Sequence, residues 1–340
     1  MTSKKIMTEP AHSDFEQLGS DTILRAALRA GLGFPYECNS GGCGSCKFEL
    51  LDGEVENLWP QAPGLSERDL RKGKLLACQC VAMSDLRIKV RTAPECVPVI
   101  APKRQRATFT GSYAITHDIR EFHFLGEAAA DFLPGQYAML AIPGVSTPRA
   151  YSMSNLANAQ GEWHFQIRRV AKGVATEQMF DHLQVGDCVE IDGPYGLAYL
   201  RPEVPRDIVC VAGGSGLAPM ISIASGAAQA GLLDTRQLHF FYGGRTPQDI
   251  CGESFLRELP GFGERIHFHP VVSLPGGDAG TAWRGKTGFV HELVRRTFGD
   301  AMPDYEFYFA GPPPMTQGLQ EMLMVEFRVP FGQVHFDRFF

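Results

Sequence analysis

Cys38, Cys43 and Cys46 share one short stretch, Cys38-Asn39-Ser40-Gly41-Gly42-Cys43-Gly44-Ser45-Cys46, with four residues between the first two and two between the last two. A fourth candidate, Cys78, follows in Leu76-Ala77-Cys78-Gln79. This spacing suits four thiolates on a [2Fe–2S] cluster, since deprotonated cysteine is a soft anionic ligand that iron accepts in both oxidation states. A loop wound around inorganic sulfide must turn backbone N–H groups inward, and Gly41, Gly42 and Gly44 permit the positive φ angles this needs. Those hydrogen bonds would stabilise an added electron. The competing occupants are zinc and a disulfide set. Zinc sites usually show two short cysteine pairs, not three ligands on one glycine loop with a distant fourth.

A second stretch with chemical potential is Gly213-Gly214-Ser215-Gly216-Leu217-Ala218-Pro219, which follows the apolar run Ile208–Ala212 and opens a helical pattern. Small residues there let the backbone approach a nucleotide pyrophosphate, whose charge a helix N-terminus favours. Glycine-rich strand–helix turns also arise from packing alone. A third stretch is Arg149-Ala150-Tyr151-Ser152, preceded by Pro134-Gly135-Gln136-Tyr137. Taken singly, it reads better as a surface strand with a snorkelling arginine.

The elements that must carry these residues fall into three modules, 1–98, 103–202 and 203–340. In the first, strands are expected at Lys4–Thr8, His12–Leu18, Lys47–Leu51 and Leu86–Arg91. Ser20 or Asp21 would cap a helix carrying Ile23, Leu24, Ala27 and Leu28 at helical spacing, and Gly31 would end it. A linker with Pro94, Pro98 and Pro102 spans Thr92 to Arg106. The second module reads as an antiparallel barrel with strands at Thr108–Ile115, Glu121–Leu125, Tyr137–Ile142, Trp163–Val170 and Cys188–Ile191, interrupted by a helix near Val174–His182. In the third, strands at Ile208–Ala212, Gln237–Tyr242, Ile266–Val272 and Glu306–Ala310 alternate with helices, the signature of a parallel α/β sheet.

The 340 residues carry a net charge of −6 and 44% hydrophobic residues, an ordinary globular composition. No basic run points to nucleic acid or to a membrane surface, and no apolar stretch approaches the roughly 20 residues that cross a bilayer. The N-terminal residues lack the apolar core of a secretory signal. Cys80, Cys96, Cys188, Cys210 and Cys251 lie scattered without paired spacing, as free thiols of a reducing, cytoplasmic compartment would.

With its modules in this order, the chain resembles the ferredoxin-NADP reductase superfamily, fused to a β-grasp ferredoxin of the plant type. The features that carry the resemblance are Arg-x-Tyr-Ser at Arg149–Ser152, Gly193-Pro194-Tyr195-Gly196, Gly311-Pro312-Pro313-Pro314-Met315, the cysteine loop and the ending Val334-His335-Phe336-Asp337-Arg338-Phe339-Phe340. Within that superfamily it is similar to the NADH-dependent reductase components of bacterial multicomponent monooxygenases, closest to the toluene monooxygenase reductases. The resemblance implies FAD, a [2Fe–2S] cluster and NADH. It assigns Arg149 to a flavin phosphate, Tyr151 to the isoalloxazine face, Ser152 to the N5 edge, and Gly173 and Thr176 to the pyrophosphate. It sets Gly213, Gly214 and Gly216 across the nicotinamide from Gly311 and Pro312. It aligns Phe339 with an aromatic ring over the flavin and puts Asp337 beside it, while Phe336 packs in the core. Cysteine usually precedes that Gly-Pro pair, but here Ala310 stands there.

The family pattern also makes Cys78 rather than Cys80 the fourth ligand, although two residues apart on a strand both could face one side. Preference for NADH comes from the resemblance too: Tyr242-Gly243-Gly244-Arg245-Thr246 has no acidic residue to repel a 2′-phosphate, and Arg245 could attract one. The implied partner is a Rieske-type ferredoxin or a di-iron hydroxylase component. The alternatives are a ring-hydroxylating dioxygenase reductase, a phenol- or methane-type monooxygenase reductase, an iron–sulfur sensor, and a zinc-stabilised interaction module.

Overall fold

The computed structural model describes residues 3–276 and 283–339, so Phe340 lies outside the described residues. The chain divides into two compact units. One comprises the residues up to Arg104 together with Asp192–Tyr195, the other Gln105–Ile191 with Gly196–Phe339.

The first unit is a β-grasp. Strands β1 (Lys4–Glu9), β2 (Asp14–Gln17), β3 (Lys47–Asp52), β5 (Lys74–Leu76) and β7 (Leu86–Lys89) form a sheet in the order β2-β1-β7-β3-β5, and β4 (Val55–Asn57) pairs with β6 (Cys80–Ala82). Its main helix, α1 (Ile23–Arg29), buries Ile23, Leu24, Ala27 and Leu28 as the spacing predicts. The cap is Thr22, not Ser20 or Asp21: its hydroxyl accepts from Arg25 N at 3.4 Å, satisfying one of the first-turn donors. A short helix, α2 (Glu67–Arg71), starts at the capping box of Ser66 and Asp69. The linker is shorter than expected, because strand β8 already begins at Lys103.

Strands β8 (Lys103–Ala114), β9 (Ile119–Gly126), β10 (Tyr137–Ala141), β11 (Arg149–Ser152), β12 (Glu162–Arg168) and β13 (Cys188–Tyr195) follow the order β11-β10-β13-β8-β9-β12. A bridge between Met153 and Phe165 draws the two end strands together into a near-closed barrel. Phe122, Phe124, Phe165 and Ile167 fill the interior, and the alternating residues of β9 and β12 therefore face outward. A short helix, α3 (Val174–Glu177), interrupts the strands. At four residues, β11 is too short for alternation to reveal it.

Beyond the barrel, β14 (Asp207–Gly213), β15 (Leu238–Gly244), β16 (Ile266–Val272), β17 (Lys286–Thr287), β18 (Tyr305–Gly311) and β19 (Val334–Arg338) form a parallel sheet in the order β17-β16-β15-β14-β18-β19. It is flanked by α4 (Leu217–Gln229), α5 (Glu253–Arg257), α6 (Val290–Phe298) and α7 (Pro313–Gln320). Ile208, Cys210 and Ala212 enter one apolar layer while Val209 and Val211 enter the other. Burial on both faces explains why this strand reads as an unbroken apolar run. Strand order reverses between β14 and β18, and the crevice at such a switch point is where α/β sheets bind ligands.

One polar patch interrupts the sheet. His239 lies opposite His267 in register, and His239 Nδ1 is 3.2 Å from His269 Nε2. Burial, reinforced by the neighbouring histidines, pushes His239 and His269 down to about 4. These folded values lie below the unfolded value of about 6.5, so the stabilisation is complete above that pH and is lost as pH falls towards 4. Thermal stability, followed by flavin fluorescence, is therefore expected to fall as pH drops through that window in the wild type, and less steeply in His239→Gln. Identical pH slopes for the two proteins would remove the histidines from the account.

Candidate redox site

The cysteine loop follows α1 and turns at Asn39 (φ 50°), Gly41 (φ 91°) and Gly44 (φ 77°). Gly42 does not take a left-handed angle; Asn39 does, as asparagine tolerates. Gly44 has a second reason to be glycine, since a Cβ there would sit 2.3 Å from Gly64 O. Wound in this way, the loop turns Cys43 N towards Cys38 Sγ (3.3 Å) and Ser45 N towards Cys43 Sγ (3.4 Å). The Gly41 N–H reaches Cys78, which also receives Gln79 Nε2 at 3.6 Å.

The four thiols form two pairs. Cys38 hydrogen-bonds Cys43, and Cys46 hydrogen-bonds Cys78. The bond from Cys43 holds Cys38 down to about 5, and that from Cys46 lowers Cys78. Among the described residues, no three of these sulfurs lie mutually within 4.8 Å. A tetrahedral zinc with Zn–S of about 2.3 Å would hold all four about 3.8 Å apart. Two pairs match a [2Fe–2S] cluster, which takes two thiolates on each iron. Cys80 is fully buried, and burial pushes its thiol up to about 12. Sequence reasoning missed Trp59, which is 44% exposed and lies against Gly41, where an added Cβ would be 3.1 Å from the indole ring.

In the barrel, β11 pairs with β10 so that Tyr151 lies opposite Ala138 and Ser152 opposite Tyr137. Gln136 fixes the preceding turn: its Oε1 accepts from Leu133 N at 2.8 Å, and Met153 N donates to Gln136 O at 3.1 Å. Ser152 is buried, Tyr151 is half-buried, and burial pushes the Tyr151 phenol up to about 12. The Arg149 guanidinium donates to Thr147 O at 2.8 Å and to the Thr147 hydroxyl, so it caps its own loop. Thr176 is also engaged locally, accepting from Val170 N at 3.2 Å and donating to Gly173 O at 3.0 Å. A Cβ on Gly173 would meet the Thr176 hydroxyl at 2.8 Å. Beside this loop lies an open cavity of about 410 Å³ whose two cations, Arg169 and Lys172, are outnumbered by Asp118, Glu177 and Asp181, and Arg169 is paired with Asp181.

At the switch point the two nucleotide loops touch. A Cβ on Gly216 would lie 2.0 Å from Ala310 O, and one on Gly311 would lie 3.0 Å from Gly213 O. Tyr242 donates to Gly214 O at 3.2 Å, and Pro312 precedes α7 with its carbonyl accepting from Met315 N at 3.0 Å. Arg168, also unforeseen, comes near Gly214 and donates to Asp118 at 2.6 Å. Arg245 directly follows β15, and its backbone N–H donates to Asp249 at 3.0 Å. The chain's last strand lies beside β18, setting Asp337 opposite Ala310 and bringing Phe339 N to Gly311 O at 3.1 Å. Asp337 is buried, and Phe339 is half-buried against the layer containing Leu217 and Ala310. Phe336 stacks on Phe309 with centroids 5.3 Å apart.

Comparison with known proteins places three family models in sequence. A 2Fe-2S iron-sulfur cluster binding domain matches residues 10–83, an oxidoreductase FAD-binding domain 106–199, and an oxidoreductase NAD-binding domain 210–321. The chain is 42% identical to ferredoxin–NAD(P)(+) reductase CarAd of Metapseudomonas resinovorans, over 94% of each chain. It is 39% identical to the ferredoxin–NAD(+) reductase component of the alkene monooxygenase system of Xanthobacter autotrophicus, covering 96% of this chain and 97% of that one. The solved ferredoxin reductase of carbazole 1,9a-dioxygenase superposes with a TM-score of 0.90 at 35% identity, covering 100% of this chain and 99% of that one.

Proposed function

The chain belongs to the ferredoxin–NAD(P)(+) reductase components of bacterial oxygenase systems, and from that premise we propose that its electrons leave for a small Rieske-type ferredoxin. It oxidises NADH and transfers electrons through FAD and a [2Fe–2S] cluster to an acceptor component. When bound, FAD accepts hydride as an electron pair and the cluster carries single electrons, which is why one chain holds both.

The residues of this chain divide the remaining work. Cys38, Cys43, Cys46 and Cys78 hold the cluster, and the loop N–H groups stabilise its added charge. Arg149, now on Thr147, would hold a flavin phosphate, where its planar fork suits two oxygens. Tyr151 packs against the isoalloxazine, and Ser152 offers a hydrogen bond at its N5 edge. Gly173 lets the 170–176 loop close, and Thr176 holds that loop in shape for the pyrophosphate. Gly213, Gly214 and Gly216 form one wall of the nicotinamide crevice, with Gly311 and Pro312 as the other. Phe339 would cover the flavin, with Asp337 beside it, and would have to yield to admit nicotinamide. These roles fit modules at 1–98, 103–202 and 203–340. Nine cysteines without a disulfide among the described residues agree with the reducing cytoplasm, and no helix there is long and apolar enough to cross a membrane.

The observation that carries the choice of acceptor is the naming of the relatives at 42% and 39% identity, both for reduction of a ferredoxin. Direct delivery to a di-iron hydroxylase is the second reading, favoured by a 32% identical phenol 2-monooxygenase reductase component from a Pseudomonas strain. Anaerobic stopped-flow mixing of the NADH-reduced chain with an isolated Rieske ferredoxin, and separately with a di-iron hydroxylase, decides between them. Fast reduction of the ferredoxin with slow reduction of the hydroxylase is expected. The reverse order of rates would replace the first reading with the second.

A further inference from the structure

On the outer face of the barrel, Glu121 and His123 stand two residues apart on β9, and His164 stands directly opposite His123 on β12. Residues i and i+2 of a strand share a face, and a cross-strand partner completes a tripod on it. The available ligand atoms of the three side chains all lie within 4.8 Å of one another. Glu121 Oε2 is 2.9 Å from His123 Nε2, and the His123 and His164 rings stack with centroids 3.6 Å apart. Glu121 is also oriented from behind. Its Oε1 accepts from Ser154 Oγ at 2.8 Å and from Gln166 Nε2 at 3.0 Å, which leaves Oε2 turned towards the imidazoles.

We propose that Glu121, His123 and His164 bind one divalent cation of the zinc class on the outer face of the barrel. Two imidazoles and a carboxylate are a donor set zinc accepts, at about 2.0–2.2 Å, with a fourth position left to water. Ser154 and Gln166 supply the outer hydrogen bonds that fix a ligating carboxylate. The rings are parallel to within 2°, so one must turn about χ2 as the ion enters; that torsion is broad and soft. The ion would join β9 to β12, the pair of strands at one end of the sheet order. This donor set is separate from the cysteines, which favour softer coordination.

The test uses the FAD- and cluster-loaded protein, dialysed against Zn²⁺ and analysed together for zinc, iron and flavin. One zinc per chain is expected in the wild type with iron unchanged, together with a higher Tm. His164→Ala and His123→Gln should bind zinc at least about tenfold more weakly, with iron and flavin retained and no rise in Tm. Should either histidine variant lose flavin, Glu121→Gln decides, because its amide oxygen still accepts from Ser154 and Gln166; it too should bind zinc more weakly. Absence of wild-type uptake, equal uptake by the variants, or uptake matched by loss of iron would each overturn the proposal.

Discussion

Cys78→Ser is expected to abolish the visible absorbance and low-temperature EPR signal of the cluster, while Cys80→Ser keeps both. The two thiols are neighbours in sequence but not in environment. Cys78 sits in the turn Ala77–Gln79, paired with Cys46 and reached by the Gly41 N–H, and its pKa is lowered by the bond from Cys46. Cys80 begins β6, fully buried, and burial pushes its thiol up to about 12. What separates the two is pairing: Cys78 is bonded to Cys46 of the cysteine loop, whereas Cys80 belongs to neither thiol pair. Loss of a ligand should exceed the about 10–100-fold effect of losing only a supporting hydrogen bond. NADH-driven reduction of a ferredoxin should therefore collapse in Cys78→Ser. Reduction of ferricyanide, which the flavin can supply directly, should persist and show that the rest of the chain is intact. An unchanged EPR signal in Cys78→Ser, with loss of signal in Cys80→Ser, would exchange the two assignments.

That Cys38, Cys43, Cys46 and Cys78 come together was legible in their spacing, and the parallel sheet because Ile208–Ala212 is apolar throughout. Other features depended on tertiary neighbours. The capping role of Thr22 was hidden by Ser20 and Asp21, two better-ranked cap residues just upstream. Asn39 took the left-handed turn expected of Gly42, since what decides φ is the path around the sulfurs and not residue type alone. The Glu121-x-His123 spacing was visible in the sequence, but His164 lies 41 residues further on and is brought opposite only by the pairing of β9 with β12. Arg168 was overlooked for the same reason: its proximity to Gly214 belongs to the folded unit and not to either local pattern.

Gly216→Ala should be the most damaging single-carbon change in the nucleotide crevice. Gly216 needs no unusual φ, so backbone freedom is not what the glycine supplies. The added Cβ would meet Ala310 O at 2.0 Å, Ala310 C at 2.5 Å and Gly311 N at 3.0 Å, all of them backbone atoms. No side chain can rotate away, so either the loop after β14 or the end of β18 must move. Overpacking of this kind costs about 1–3 kcal/mol, a loss of stability the fold can absorb. The larger consequence is geometric, because the displaced segments are the two walls proposed above to hold nicotinamide. A misplacement of about 1 Å can slow a reaction by about 100-fold. The rate of flavin bleaching by NADH at saturation is expected to fall by that order, with KM for NADH raised and the flavin and iron contents unchanged. Gly332→Ala is the control, since a Cβ there meets nothing within 4 Å and should leave the rate as it is. Wild-type hydride-transfer kinetics in Gly216→Ala would mean that the contact between these loops does not set the nicotinamide geometry.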